Sequence, residues 1–164
     1  MNVKVIYGST TGTTQAAAER IAAALGTTAI DVAGATAGDF DADLLVLGSS
    51  TWGCGDLQDD WAKGIELLGA ANLAGKKVAV FGYGDQTGFA DTFCDAIGII
   101  AAKAQERGAE LVGQVSKDGY LFDSSKAVQD GRLVGLALDD NNQAGLSEQR
   151  LTDWLAALKT CVGA

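Results

Sequence analysis

Three short apolar runs, Val3–Tyr7, Leu44–Gly48 and Val78–Gly82, constrain this chain most. None alternates polar with apolar residues, and each leads into Gly, Ser or Thr. A strand that is apolar on both faces has to be covered on both faces, which is the habit of parallel sheets. Helix-like stretches separate the runs: Thr13–Leu25, roughly 59–68, and 91–107. Strand and helix in alternation predict an α/β fold with a doubly wound parallel sheet and helices on both faces. Thr28–Val32 is a weaker strand candidate, nearer an edge, and Glu110–Val115 reads as a fifth strand. Ser147–Lys159 is expected to be a closing helix capped by Ser147, with Leu151, Trp154, Leu155 and Leu158 on one face. The stretch 116–143 is too long for an ordinary connection. It reads as an insertion of about 116–133 that interrupts the last strand, with Val134–Leu138 resuming the sheet.

The first strand runs into Ser9, Thr10, Thr11, Gly12, Thr13 and Thr14, and then a helix. A helix start offers unpaired N–H groups and the positive end of the dipole, which suits a phosphate or another anion. Five of the six residues carry a hydroxyl and none carries a positive charge. Neutral dipoles would hold the anion. A Walker loop would need four residues between its glycines and then Lys; here three separate Gly8 from Gly12, and Thr13 follows. The Gly-x-Gly-x-x-Gly dinucleotide fingerprint is also missing after the first strand. An ordinary Ser/Thr N-cap has the same composition, so these residues alone leave both readings open.

The 164 residues, 48% of them hydrophobic, predict a single domain over 1–164 with a core that needs no disulfide or metal. Cys54, Cys94 and Cys161 are odd in number and in no metal-ligand spacing, which points to a reducing compartment, the cytoplasm. Met1-Asn2 leads almost directly into the first strand, so no signal peptide is expected, and no apolar stretch is long enough to cross a membrane. A net charge of −9 argues against nucleic acid and anionic membranes and for a partner with a basic face. The chain has no His, which excludes Ser-His and Cys-His nucleophile pairs. It also has no Pro.

Two further strand ends carry unusual loops. One is Ser49-Ser50-Thr51-Trp52-Gly53-Cys54-Gly55-Asp56; the other is Tyr83-Gly84-Asp85-Gln86-Thr87-Gly88-Phe89. Ligands of open parallel sheets sit beyond the carboxyl ends of the strands, where strand order reverses. Trp52 and Phe89 lie in glycine-rich loops at that edge and could sandwich a flat ring. A phosphate turn and an aromatic sandwich together suit a phosphorylated planar cofactor.

The chain resembles flavodoxins of the long-chain type over nearly its whole length. The resemblance rests on Ser9–Thr14, on Thr51-Trp52-Gly53 with Gly55–Trp61, on Gly84–Asp91, on Asp118-Gly119-Tyr120 and on Gly135–Asp139. It implies the flavodoxin-like strand order 2-1-3-4-5 and a non-covalently bound FMN. Flavodoxins are themselves a standing example of the strand-end rule, so the rule and the match are one argument for the cofactor's position, and the match carries it. By resemblance Ser9–Thr14 bind the 5′-phosphate, Trp52 and Phe89 flank the isoalloxazine, and backbone groups of Tyr83, Gly84 and Asp85 serve its pyrimidine edge. Ser50, Thr51, Cys54, Gly55 and Cys94 join the set as neighbours of the ring. The aromatic at Phe89 is usually Tyr in the family, and Thr13-Thr14 replaces a frequent Lys-Thr pair. In flavodoxins the peptide after the flanking Trp turns its carbonyl toward flavin N5 when the semiquinone gains a proton. Gly53 stands there and tolerates the positive φ that this turn needs.

Asp56, Asp59, Asp60, Asp85, Asp91 and Asp95 crowd these loops. Their field opposes formation of the anionic hydroquinone. The implied activity is low-potential one-electron transfer, shuttling between semiquinone and hydroquinone, and not enzymatic turnover. The implied partners are ferredoxin–NADP reductase, pyruvate oxidoreductase, nitrogenase reductase or photosystem I, with a monomeric carrier. An FMN-dependent NAD(P)H or quinone oxidoreductase is the rival; it needs a second open slot where Trp52 would cover the ring. A signalling receiver domain would need acids where Ser9, Thr10, Ser49 and Ser50 stand. A pure interaction module would bind no flavin.

Overall fold

The computed structural model describes residues 2–52 and 54–161. Gly53, singled out above for the turning peptide, lies outside the described residues. Strands β1 (Val3–Gly8), β2 (Ala29–Asp31), β3 (Leu44–Ser49), β6 (Lys77–Tyr83) and β11 (Leu136–Leu138) make one parallel sheet in the order β2-β1-β3-β6-β11. A further short strand, β7 (Glu110–Leu111), pairs with the first residues of β6, while β11 pairs with its last. The fifth position of the expected order is thus filled by two pieces lying along one neighbour.

The apolar runs are buried because each feeds two cores. Ile6, Leu45, Leu47, Val78 and Val80 face Phe40, Trp61, Leu68, Ile97 and Ile100. These come largely from α2 (Trp61–Ala70) and α3 (Asp95–Glu106). Val5, Tyr7, Leu44, Val46, Ala79 and Phe81 face Ile21, Leu151, Trp154 and Leu158, from α1 (Thr13–Ala24) and α4 (Ala144–Cys161). Burying each Val, Leu, Ile or Phe among these contributes roughly 1.5–3 kcal/mol. The indole N–H of Trp61 donates to the Gly48 carbonyl at 2.7 Å, and that of Trp154 to the Gly113 carbonyl at 2.7 Å.

The expected strand over 110–115 is corrected. It stops at Leu111, and the Trp154 bond fastens the backbone at Gly113 against α4. Val115 and Ser116 then form β8, which belongs to a separate three-stranded sheet with β9 (Val128–Gln129) and β10 (Arg132–Leu133). β9 and β10 are joined by Asp130-Gly131, both with positive φ (53° and 77°), the signature of a two-residue hairpin turn. That Asp-Gly pair is a hairpin signal the sequence itself carries. The main sheet resumes at Leu136, two residues later than expected. Helix α4 begins at Ala144, so Ser147 is inside it and its hydroxyl bonds Asp140 instead of capping the helix. Helix α3 begins only at Asp95, because Asp91–Cys94 form turns and Cys94 adopts a left-handed φ of 52°.

Among the described residues no helix is long and apolar enough to cross a membrane. Two more short strands, β4 (Thr51–Trp52) and β5 (Asp56–Leu57), pair antiparallel beyond the end of β3.

Candidate functional site

The carboxyl ends of β1, β3, β6 and β11 converge on a cleft of about 390 Å³. From β1 come Thr11 and Thr13. Gly12, left-handed at φ 91°, precedes α1 and donates its N–H to Ser9 Oγ at 3.0 Å. The hydroxyls of Thr11 and Thr13 lie 3.4 Å apart. Thr10 accepts from Gln58 Nε2 at 3.1 Å, so the turn is braced by the segment after β5. Thr14 is buried beneath the first turn of α1. That turn carries no acidic residue, leaving its dipole available to an anion.

The loop after β3 supplies Ser50, Thr51 and Trp52. Ser50 Oγ accepts from Trp52 Nε1 at 2.8 Å, tethering the indole by its edge. Thr51 Oγ1 accepts from Ala96 N at 3.0 Å, which ties this wall to α3. The loop after β6 supplies Tyr83, Gly84, Asp85 and Phe89. Gly84 N donates to the Leu138 carbonyl at 2.9 Å, continuing the sheet, so this N–H is already engaged. Burial pushes the Tyr83 phenol up to about 12, with Asp140 adding to the shift. Asp85 accepts from Gly88 N at 2.8 Å and Thr87 N at 3.0 Å, and from the amides of Asn141 and Asn142. The Gly88 bond foremost holds its carboxyl below the usual range.

Trp52 is 42% exposed and Phe89 50%, in a chain that buries Phe40, Trp61, Phe81 and Phe93 completely. Two large aromatics left half bare across one cleft fit a flat apolar ring, and the hydroxyl turn on the same cleft fits its phosphate. The two aromatics and two residues of the hydroxyl turn, Thr11 and Thr13, expected from separate stretches, line one cleft, whereas Ser9, Thr10, Gly12 and Thr14 are not among its lining residues. Cys54, Gly55 and Cys94 are not among the lining residues. Cys54 is exposed, and Gly55 packs on Asp95, whose Oδ2 would lie 2.6 Å from a Cβ there. Cys94 is buried behind Gly84, and burial keeps its thiol well above the usual range. Thr92 lines the cleft unforeseen, and Asp140 and Asn141 join it from the turn after β11, whose residues 139–141 the sequence places near the ring's rim or, more simply, in a solvated turn. Thr92 gave no local signal; it arrives because the chain turns before α3.

The fold and the cleft define an open α/β protein whose strand-end cleft suits a phosphorylated, planar ligand. The flavodoxin family model matches residues 5–154. The flavodoxin of Synechococcus elongatus is 42% identical over 166 residues, 98% of each chain. That of Nostoc sp. is 43% identical over 165 residues, 98% of this chain and 97% of that one. In structure, the Fusobacterium nucleatum flavodoxin bound to flavin mononucleotide matches with a TM-score of 0.91 at 27% identity, over 98% of both chains. The chain belongs to the flavodoxin family. Flavodoxins are electron carriers that use FMN and are not enzymes, and the reductase alternative is not favoured.

Proposed function

We propose that this chain binds FMN non-covalently in the strand-end cleft and works as a low-potential one-electron carrier between redox proteins. The observation that carries this reading is the pair of half-exposed aromatics, Trp52 and Phe89, on the cleft that also holds Thr11 and Thr13. Bound FMN supplies two successive one-electron steps. The chain's part is to hold and tune it. Ser9–Thr14 hold the phosphate with neutral donors. Trp52 and Phe89 cover the ring and keep water from it. Backbone groups of Tyr83 and Asp85 serve its polar edge.

Asp56, Asp59 and Asp91 are exposed, Asp60 and Asp85 half-buried, and Asp95 buried. Their summed field makes each added negative charge on the ring costlier and lowers the second potential. The same acids, on a chain of net charge −9, favour partners with basic docking faces. We place the ferredoxin–NADP reductase, pyruvate oxidoreductase, nitrogenase reductase and photosystem I types in that class. We also propose a monomeric carrier of one domain over 1–164, working in the cytoplasm, where Cys54 and Cys94 would stay reduced.

The test is stepwise reduction of the FMN-reconstituted protein, followed by its visible spectrum. Two separated one-electron steps, the second well below that of free FMN, are expected. A protein that takes up no FMN, or shows one two-electron step, overturns the reading.

A further inference from the structure

The most heavily bonded side chain near the cleft is one that does not line it. Asp139 follows β11 and is 0% exposed. Its Oδ2 accepts from Gln86 N at 3.0 Å, Gln86 Nε2 at 3.0 Å and Asn142 Nδ2 at 2.9 Å. Its Oδ1 accepts from Asn141 N and Asn142 N, both at 3.0 Å. Five donors on one carboxylate are what a buried charge needs in order to remain a charge. They come from two loops. Gln86 sits inside the 83–89 wall, and Asn141 and Asn142 form the turn opposite.

Both loops act on the cleft directly. Asn142 Nδ2 also reaches Asp85 Oδ1 at 2.7 Å, and Phe89 N donates to the Asp85 carbonyl at 3.0 Å. The short turn carrying Phe89 is therefore fixed at Asp85 and Gln86, and both are fixed through Asp139 and Asn142. Gln86 extends the connection outward. Its side-chain oxygen accepts from Leu121 N in the insertion, and its Nε2 reaches Gln143 Oε1 at 2.7 Å.

We propose that Asp139 is a positioning residue for the cofactor: it clamps the 83–89 loop to the 140–142 turn and so presets the gap between Phe89 and the rest of the cleft. This rests on the reading of the cleft as the FMN site. Without the clamp the two loops would have to be ordered by the ligand itself, at the expense of affinity.

Asp139→Asn tests this with little change of volume. A carboxamide has one acceptor oxygen and one NH2. In either orientation it turns that NH2 onto at least two N–H donors, so the clamp opens. Apoprotein of the wild type, Asp139→Asn, Gln86→Ala and the double variant would be titrated with FMN, and the visible circular dichroism of the bound flavin recorded. The urea midpoint of each apoprotein would be measured alongside. We expect FMN affinity about tenfold weaker in Asp139→Asn, a few-fold weaker in Gln86→Ala, and losses in the double variant less than the product of the two. The flavin dichroism should change in both single variants. Unchanged affinity and dichroism with only a lowered urea midpoint would make Asp139 a purely structural residue and overturn the proposal. If Asp139→Asn does not fold, wild-type affinity and dichroism in Gln86→Ala overturn it as well. Failure of the wild type to bind FMN would instead overturn the reading of the site.

Discussion

Trp52 and Phe89 carry the recognition of the ring, and they do so from different supports. Trp52 is held by one edge bond to Ser50, while Phe89 rides on a turn fixed from behind by Asp85. Removing Trp52 leaves its supports intact and takes away only the stacking surface. Trp52→Ala should weaken FMN binding by about 2 kcal/mol, roughly 30-fold, as read by flavin fluorescence titration. Apoprotein stability should hardly move, because the indole is already half in water. How far a residue's role is legible in the sequence depends on how far away its partners are. Thr11, Thr13, Trp52 and Phe89 announce themselves through their neighbours in the chain. Thr92 and Asp139 do not. Asp139 meets Gln86 across 53 residues, and nothing near either position reveals it.

At the scale of elements, the continuous apolar runs are legible because burial on both faces leaves no room for alternation. β3 is buried at every residue, and β2, the weaker candidate, lies at the edge. The starts of α3 and α4 differ from expectation. The turns over 91–94, with Cys94 left-handed and the Asp91 carbonyl bonded by Ser124 Oγ, delay α3, while Ser147 lies inside α4 and bonds Asp140. The loops joining these elements also set the response to acid. Burial raises the Asp139 carboxyl, but its side-chain and backbone donors outweigh that and hold it below its ordinary 3.8; Asp85 is lowered too. A carboxyl depressed on folding adds stability above its unfolded pKa and loses it as pH falls through the folded one. Urea midpoints of the apoprotein should therefore be flat from pH 6 to 8, where a chain without His has little to titrate. They should fall steadily below about pH 4, as the two carboxylates take up protons.

The molecule as a whole carries −9, and its cleft opens among exposed acids. Association with a basic redox partner should be steered by that field and should slow by about tenfold or more between 10 mM and 0.3 M salt in stopped-flow measurements. Unimolecular transfer within the formed complex should change far less. The packing of the three tryptophans has a practical sequel. Trp61 and Trp154 sit in opposite cores with their N–H groups engaged by carbonyls, while Trp52 stands half bare at the cleft. Their emission should therefore divide in colour, bluer from the interior pair and redder from the cleft. Neutral acrylamide should extinguish the red share first, and iodide, repelled by the chain's own charge, should do so poorly. The protein thus comes with a built-in lamp at its binding site and two inside its walls.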